Sequence, residues 1–227
     1  MTDKEKLLAE IDKCLTETSR LKELVTAFIE NVEEDEVKDF TRLHITEETF
    51  NVNEDKDWHL KDVLVVPVDG ETKLFRVEHI SDDKIYFVAV DAVGESNMKD
   101  MNQFLDGYIS EMPKSLVDRM IEIEHKMAGE VVCKGKLTLL SYANVVTDTG
   151  KYELDGYDDI SFDGLLTDAE RIKNNENGET YWYWLDTPDT CNSELVRCVG
   201  YDGDTRPADW AASHYLVVPC FALPRRR

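Results

Sequence analysis

Tyr181-Trp182-Tyr183-Trp184-Leu185-Asp186-Thr187-Pro188, Val196-Arg197-Cys198-Val199-Gly200-Tyr201-Asp202-Gly203-Asp204 and Tyr215-Leu216-Val217-Val218-Pro219-Cys220-Phe221-Ala222-Leu223 follow one another near the end of the chain. Three apolar runs separated by polar, turn-rich stretches predict three strands that display the loops between them. Alternation places Trp182 and Trp184 on one face of the first strand, with Tyr181, Tyr183 and Leu185 on the other. Large rings on both faces of a strand are normally covered on both sides, so the reading is core. The alternative is a pair of tryptophans stacking on a sugar. No catalytic constellation lies in these runs.

Upstream, Val63–Val68, Lys73–Val77 and Lys84–Val90 predict a three-stranded meander, with Asp69-Gly70 and Asp82-Asp83 at the turns. Two helices are predicted next. Lys99 to Ile109 presents Met101, Phe104, Leu105 and Tyr108 on one side, and Pro113 opens a second helix with Leu116, Met120, Ile123 and Met127 at helical spacing. Leu137-Thr138-Leu139-Leu140 returns as a strand. Tyr152 to Glu170 holds seven acidic residues and no Lys or Arg. Clustered carboxylates suit a hard cation, but no EF-hand spacing is present, and a solvated acidic loop without metal is the expectation.

The N-terminal segment reads as a helix. Leu7, Ile11, Cys14, Thr18, Leu21, Val25, Phe28 and Val32 recur in steps of four and three, a heptad seam leaning to a parallel dimer, with a trimer open. Leu8, Leu15, Leu24 and Ile29 widen the apolar face, so an amphipathic helix packed on its own domain is the other reading. The predicted organisation is an oligomerisation or docking helix over 1–34, an acidic connector over 35–59 and a folded domain over 60–227.

Of the 227 residues, 26 are Lys or Arg and 48 Asp or Glu, a formal charge of −22. Such a charge repels phosphate backbones and anionic headgroups, so neither nucleic acid nor a membrane is an expected partner. The first residues lack a signal-peptide apolar core and no run has transmembrane length, so secretion through a signal peptide is not expected. Cys14, Cys133, Cys191, Cys198 and Cys220 are odd in number and form no C-x-x-C, which reads as reduced thiols. His44, His59, His79, His125 and His214 are scattered, the pattern of surface or satisfied side chains rather than ligands.

Tyr183-Trp184-Leu185-Asp186-Thr187-Pro188, Val199-Gly200-Tyr201-Asp202-Gly203 and Val217-Val218-Pro219-Cys220-Phe221-Ala222-Leu223 together resemble a bacterial and phage domain family with the signature W-L-R-S-P, V-N-x-D-G, V-R-P-A. Phe104-Leu105-Asp106-Gly107-Tyr108, Leu137-Thr138-Leu139-Leu140-Ser141 and Thr167-Asp168-Ala169-Glu170-Arg171-Ile172 are similar to its upstream landmarks, so the likeness spans roughly 60 to 223. Asp186 and Val218 stand where that family has Arg. If those arginines are buried clips, this chain must hold its loops by other contacts.

The resemblance implies an α+β, C-type-lectin-like domain of short mixed strands with two helices, preceded by the N-terminal helix. Its fold group includes phage receptor-binding proteins with variable C-terminal loops and the formylglycine-generating enzymes. The implied function is a non-enzymatic binding or display protein, phage-encoded and virion-associated, or in the bacterial cytoplasm when unassembled. It would join copies or dock on an assembly through its helix and meet a protein or glycan receptor through Asp202, Asp204, Arg206, Trp210, His214 and Tyr215. Neither a cofactor nor a metal is expected. The enzymatic alternative finds no G-x-S-x-G, no H-E-x-x-H, no phosphate-cradling glycine loop and no reactive cysteine pair.

Overall fold

Residues 50, 56–127, 129–146, 160–189, 192, 194–205 and 208–225 are described by the computed structural model. The predicted helix over 1–34 and its heptad seam lie outside them, as do most of the connector and residues 152–159 of the acidic segment.

β1 (Val63–Val68), β2 (Glu71–Ile80) and β3 (Lys84–Ala89) form the predicted antiparallel meander. Asp69 and Gly70 take φ of 47° and 76°, the left-handed pair that a two-residue hairpin turn needs and a D-G dipeptide supplies. Then come β4 (Glu95–Ser96), helix α1 (Met101–Ser110) and the single turn α2 (Lys114–Val117). β5 (Ile123–Met127), β6 (Glu130–Gly135), β7 (Leu137–Thr138) and the short helix α3 (Tyr142–Val145) follow. A 3-10 turn at Asp163–Leu165 leads into α4 (Asp168–Arg171). The tail is all strand: β8 (Tyr183–Pro188), β9 (Leu195–Val199), β10 (Ala208–Trp210), β11 (Tyr215–Leu216) and β12 (Cys220–Pro224). Among the described residues strand dominates and the helices are few and short, an α+β arrangement.

Two five-stranded sheets result, one ordered β1-β2-β3-β12-β7 and the other β10-β9-β8-β11-β4, with β5 and β6 as a separate hairpin. The final strand β12 sits inside the first sheet, antiparallel to both β3 and β7. Its Phe221 stacks on Phe87 at 5.2 Å, and Trp58 meets Phe87 edge-on at 4.9 Å. Tyr183, Trp184 and Leu185 are all fully buried, as rings on both faces of one strand require.

Three expectations need correction. The second helix ends at Val117, and Ile123 and Met127 belong to β5. The same residues fit a two-residue period: Ile123 and His125 are buried while Glu122 and Glu124 are exposed, and pairing with β6 satisfies that period. The run Tyr215–Leu223 is two strands in two sheets, β11 beside β8 and β12 beside β3. Pro219 has no N–H to extend a ladder, and Val217 instead exchanges backbone hydrogen bonds with Val93 and Gly94. Finally, regular pairing starts only at Tyr183, so Tyr181 leaves the alternation and is 48% exposed.

Two buried charges brace the sheets. Glu78, at the bulge of β2, accepts from Lys61 Nζ at 2.8 Å and Arg76 Nε at 2.5 Å. Lys173 is 1% exposed and its Nζ donates to the carbonyls of Ala89 (2.7 Å) and Val90 (3.1 Å). Desolvation lowers the Lys173 ammonium to about 8 from 10.5. With the folded value below the unfolded one, the unfolded chain holds the extra proton between about pH 8 and 10.5, and stability rises with pH there. Below that window both states are protonated and the penalty is full. A lowering of this size corresponds to about 3 kcal/mol. In urea titrations, wild-type stability minus that of Lys173→Met should therefore climb by about 2–3 kcal/mol from pH 7.5 to 10. A flat difference would mean that the ammonium is solvated.

Candidate binding surface

The loop strands of the second sheet gather rings. The Tyr215 ring lies 4.7 Å from Trp184, 5.5 Å from Trp182 and 6.0 Å from Tyr181. Trp184 is locked beneath, its Nε1 donating to the Ser96 carbonyl at 2.9 Å. The Tyr215 hydroxyl donates to Asp209 Oδ2. Burial, and then that bond, push the Tyr215 hydroxyl above its ordinary pKa, while the same bond holds the Asp209 carboxyl below its own. The cluster thus grades from a fixed tryptophan to an open tyrosine edge; Trp210, at the end of β10 and next in sequence to Asp209, carries a ring that is 54% exposed.

Asp202 and Asp204 belong to a different local structure. Gly200 N–H donates to the Asp204 carbonyl at 2.8 Å and Asp204 N–H to Asp202 Oδ1 at 3.3 Å, with Gly203 at φ 84° between them. Arg171 clamps this turn from below. Its Nε donates to Gly203 O (2.9 Å), Nη1 to Leu165 O (2.9 Å) and Val145 O (3.1 Å), and Nη2 to Asp168. A buried guanidinium clip is therefore present, supplied by α4. Asp186, where the resembled family has Arg, instead lies 3.3 Å from His125 Nε2 in a buried pair, and Val218 is fully buried.

Of the remaining residues expected in the site, His214 is exposed with Nε2 3.5 Å from Asn97 Nδ2, and Arg206 lies outside the described residues. Tyr181, Asp209, Ser96 of β4 and the following Asn97 were not expected there. No local pattern ties Asn97 to His214; the pairing of Ser96 with Tyr215 does.

The described acids of the 152–170 segment make fold contacts. Asp163 pairs with His79 at 3.0 Å, Asp168 with Arg171, and Glu170 closes a capping box with Thr167. The Thr167 backbone N–H holds the Glu170 carboxyl below its ordinary value. Burial pushes the Cys198 thiol up to about 12 and the Cys220 thiol higher still, so both stay protonated at neutral pH. Among the described residues no three His, Cys, Asp or Glu side chains converge on a metal position, and no helix is long and apolar enough to cross a membrane.

Residues 93–225 match the model of a family described as a domain of unknown function (DUF6273). No curated protein matches the chain, and no solved structure does.

Proposed function

The chain thus belongs to the DUF6273 family, and on that premise we propose that it is a non-enzymatic binding or display protein. The observation that carries this reading is the graded aromatic cluster, Trp184–Trp182–Tyr215–Tyr181; Trp210, next in sequence to the Asp209 that holds Tyr215, carries a further exposed ring. Rings anchored at one edge and open at the other bind with little loss of conformational freedom. Asp202, Asp204, Arg206 and His214 supply polar contacts on the same tail. The ligand class is a protein or glycan receptor.

The finer reading rests on the signature residues of the tail and the seam of 7–32. The domain is C-type-lectin-like, the N-terminal helix joins copies or docks on a larger assembly, and the assembly is a phage particle. Several weak sites on one stalk raise avidity without new contacts.

A glycan array probed with the full-length protein, and repeated with Trp210→Ala, tests the reading. The expected result is a defined set of retained glycans whose signal falls at least tenfold in the variant, with the melting temperature within about 2 °C of wild type. Retention that ignores Trp210, or no retention on glycans and on bacterial surface protein alike, overturns it.

A further inference from the structure

Of all the asparagines in the chain, only Asn177 is followed by glycine. The pair Asn177-Gly178 sits between α4 and β8, in a small hairpin closed by the Asn174–Thr180 bridge and by the Asn175 N–H, which donates to the Glu179 carbonyl at 2.9 Å. Gly178 takes φ 78°. That is the left-handed position on which a three-residue hairpin loop ends, and glycine fills it at no steric cost. The turn thus requires, directly after Asn177, the residue that shields its neighbour least.

Asn177 is exposed, and among the described residues its carboxamide makes no hydrogen bond. None of the described atoms lies within 4 Å of a Cβ built on Gly178, so water and hydroxide reach the peptide nitrogen between the two residues. What holds that nitrogen is the turn. The Gly178 N–H donates to the Asn175 carbonyl at 3.0 Å. Asn175 Oδ1 accepts from the N–H of Asn177 at 3.0 Å and of Glu179 at 2.9 Å, and its Nδ2 donates to Glu179 Oε2 at 3.2 Å. Asn175 is therefore the clamp of the loop. An exposed turn held by solvent-accessible bonds lies at the low end of local opening free energies, so the Gly178 nitrogen is released repeatedly while the domain stays folded.

We propose that Asn177 is a site of spontaneous deamidation, gated by Asn175, and that the isoaspartyl product loosens the approach to the ring cluster. With the turn open and its proton lost to hydroxide, the Gly178 nitrogen attacks Asn177 Cγ and forms a new N–C bond. The Cγ–Nδ2 bond breaks, and the departing nitrogen takes a proton from water and leaves as ammonia. Water then opens the five-membered imide. Attack at Cγ gives aspartate; attack at the main-chain carbonyl carbon of residue 177 gives isoaspartate, in which the backbone runs through the side-chain carbons. Either product adds a negative charge to a loop that already carries Glu176 and Glu179. Isoaspartate also adds one atom to the backbone of a hairpin whose loop length sets the register of the Asn174–Thr180 bridge. Thr180 leads directly into Tyr181, whose ring meets Tyr215 at 6.0 Å, so the change arrives at the open edge of the cluster. It does so whatever ligand that surface takes.

The test is incubation of the full-length protein at about pH 8.5 and 37 °C, sampled over weeks and mapped by peptide mass spectrometry, which resolves the gain of about 1 Da per conversion. An isoaspartyl methyltransferase labels the isoaspartyl product. Conversion is expected at Asn177 ahead of Asn97, Asn102 and Asn174, each of which precedes a residue with a side chain. Asn175→Ala, which removes the clamp, should speed it several-fold, toward the rate of an unstructured peptide spanning residues 172–182, and Asn177→Gln should abolish it. In the separated isoaspartyl form, hydrogen exchange over 179–182 should be faster than in fresh protein by about tenfold. No conversion at Asn177 while the peptide converts, or equal rates for wild type and Asn175→Ala, overturns the gated site. Unchanged exchange in the isoaspartyl form overturns the effect on the ring cluster.

Discussion

Arg171→Met is expected to destabilise the protein by about 3–5 kcal/mol, a large share of a typical domain's stability. The guanidinium donates to three backbone carbonyls, of Gly203, Leu165 and Val145, drawn from three separate segments, besides Asp168. Methionine fills much of the volume but leaves those carbonyls without donors in a buried site, and orphaned acceptors are what make such losses large. Asp168 is mostly solvent-exposed and contributes little of this. For a domain of this size the loss lowers the melting temperature by about 10 °C or more. Arg171→Lys should recover only part, since one ammonium does not reach three divergent carbonyls as a planar fork does. Urea denaturation of the three proteins checks this; a loss under about 1 kcal/mol for Arg171→Met would mean the clamp is ornamental.

Gly203→Ala attacks the same turn from the other side and should lose about 3 kcal/mol. Its φ of 84° already disfavours a side chain, and an added Cβ would lie 2.6 Å from the Asp168 carbonyl carbon and 2.8 Å from its Cα. That neighbour is backbone and cannot swing away. Gly178 separates the two causes, since its φ is 78° but nothing lies within 4 Å of an added Cβ. Gly178→Ala should therefore lose only about 1 kcal/mol. The double variant Arg171→Met/Gly203→Ala should lose less than the sum, because Arg171 Nε bonds the Gly203 carbonyl directly. Full additivity, or Gly203→Ala no worse than Gly178→Ala, would contradict this account of the turn.

Both variants act on the turn that carries Asp202 and Asp204, so under the proposed function they bear on binding as well as stability. A rigid scaffold under loops is what allows the loops to bind.

The meander was legible because alternation and a D-G turn are local signals, and α1 because its apolar stripe continues for ten residues. The segment 114–127 was misread because its apolar residues satisfy both the helical period and the strand period, and only the partner β6 breaks the tie. The run 215–223 is locally one strand; what divides it is that two different sheets offer their edges to its two ends. Among the candidate site residues, Trp210 and Tyr215 were legible as aromatic residues in a turn-rich spacer. Arg171 was not, since a lone arginine in a four-residue helix carries no pattern that reveals three carbonyl partners.

By itself, then, the sequence determined the strand-rich class, the turns, the burial of Tyr183, Trp184 and Leu185, and the strongly negative charge, because each follows from periodicity or composition within a few residues. Only the tertiary structure decided which sheet each tail strand joins and that Arg171 holds the turn of Asp202 and Asp204. Those depend on hydrogen-bond partners and fields supplied across the chain, and no local pattern encodes a partner that distant.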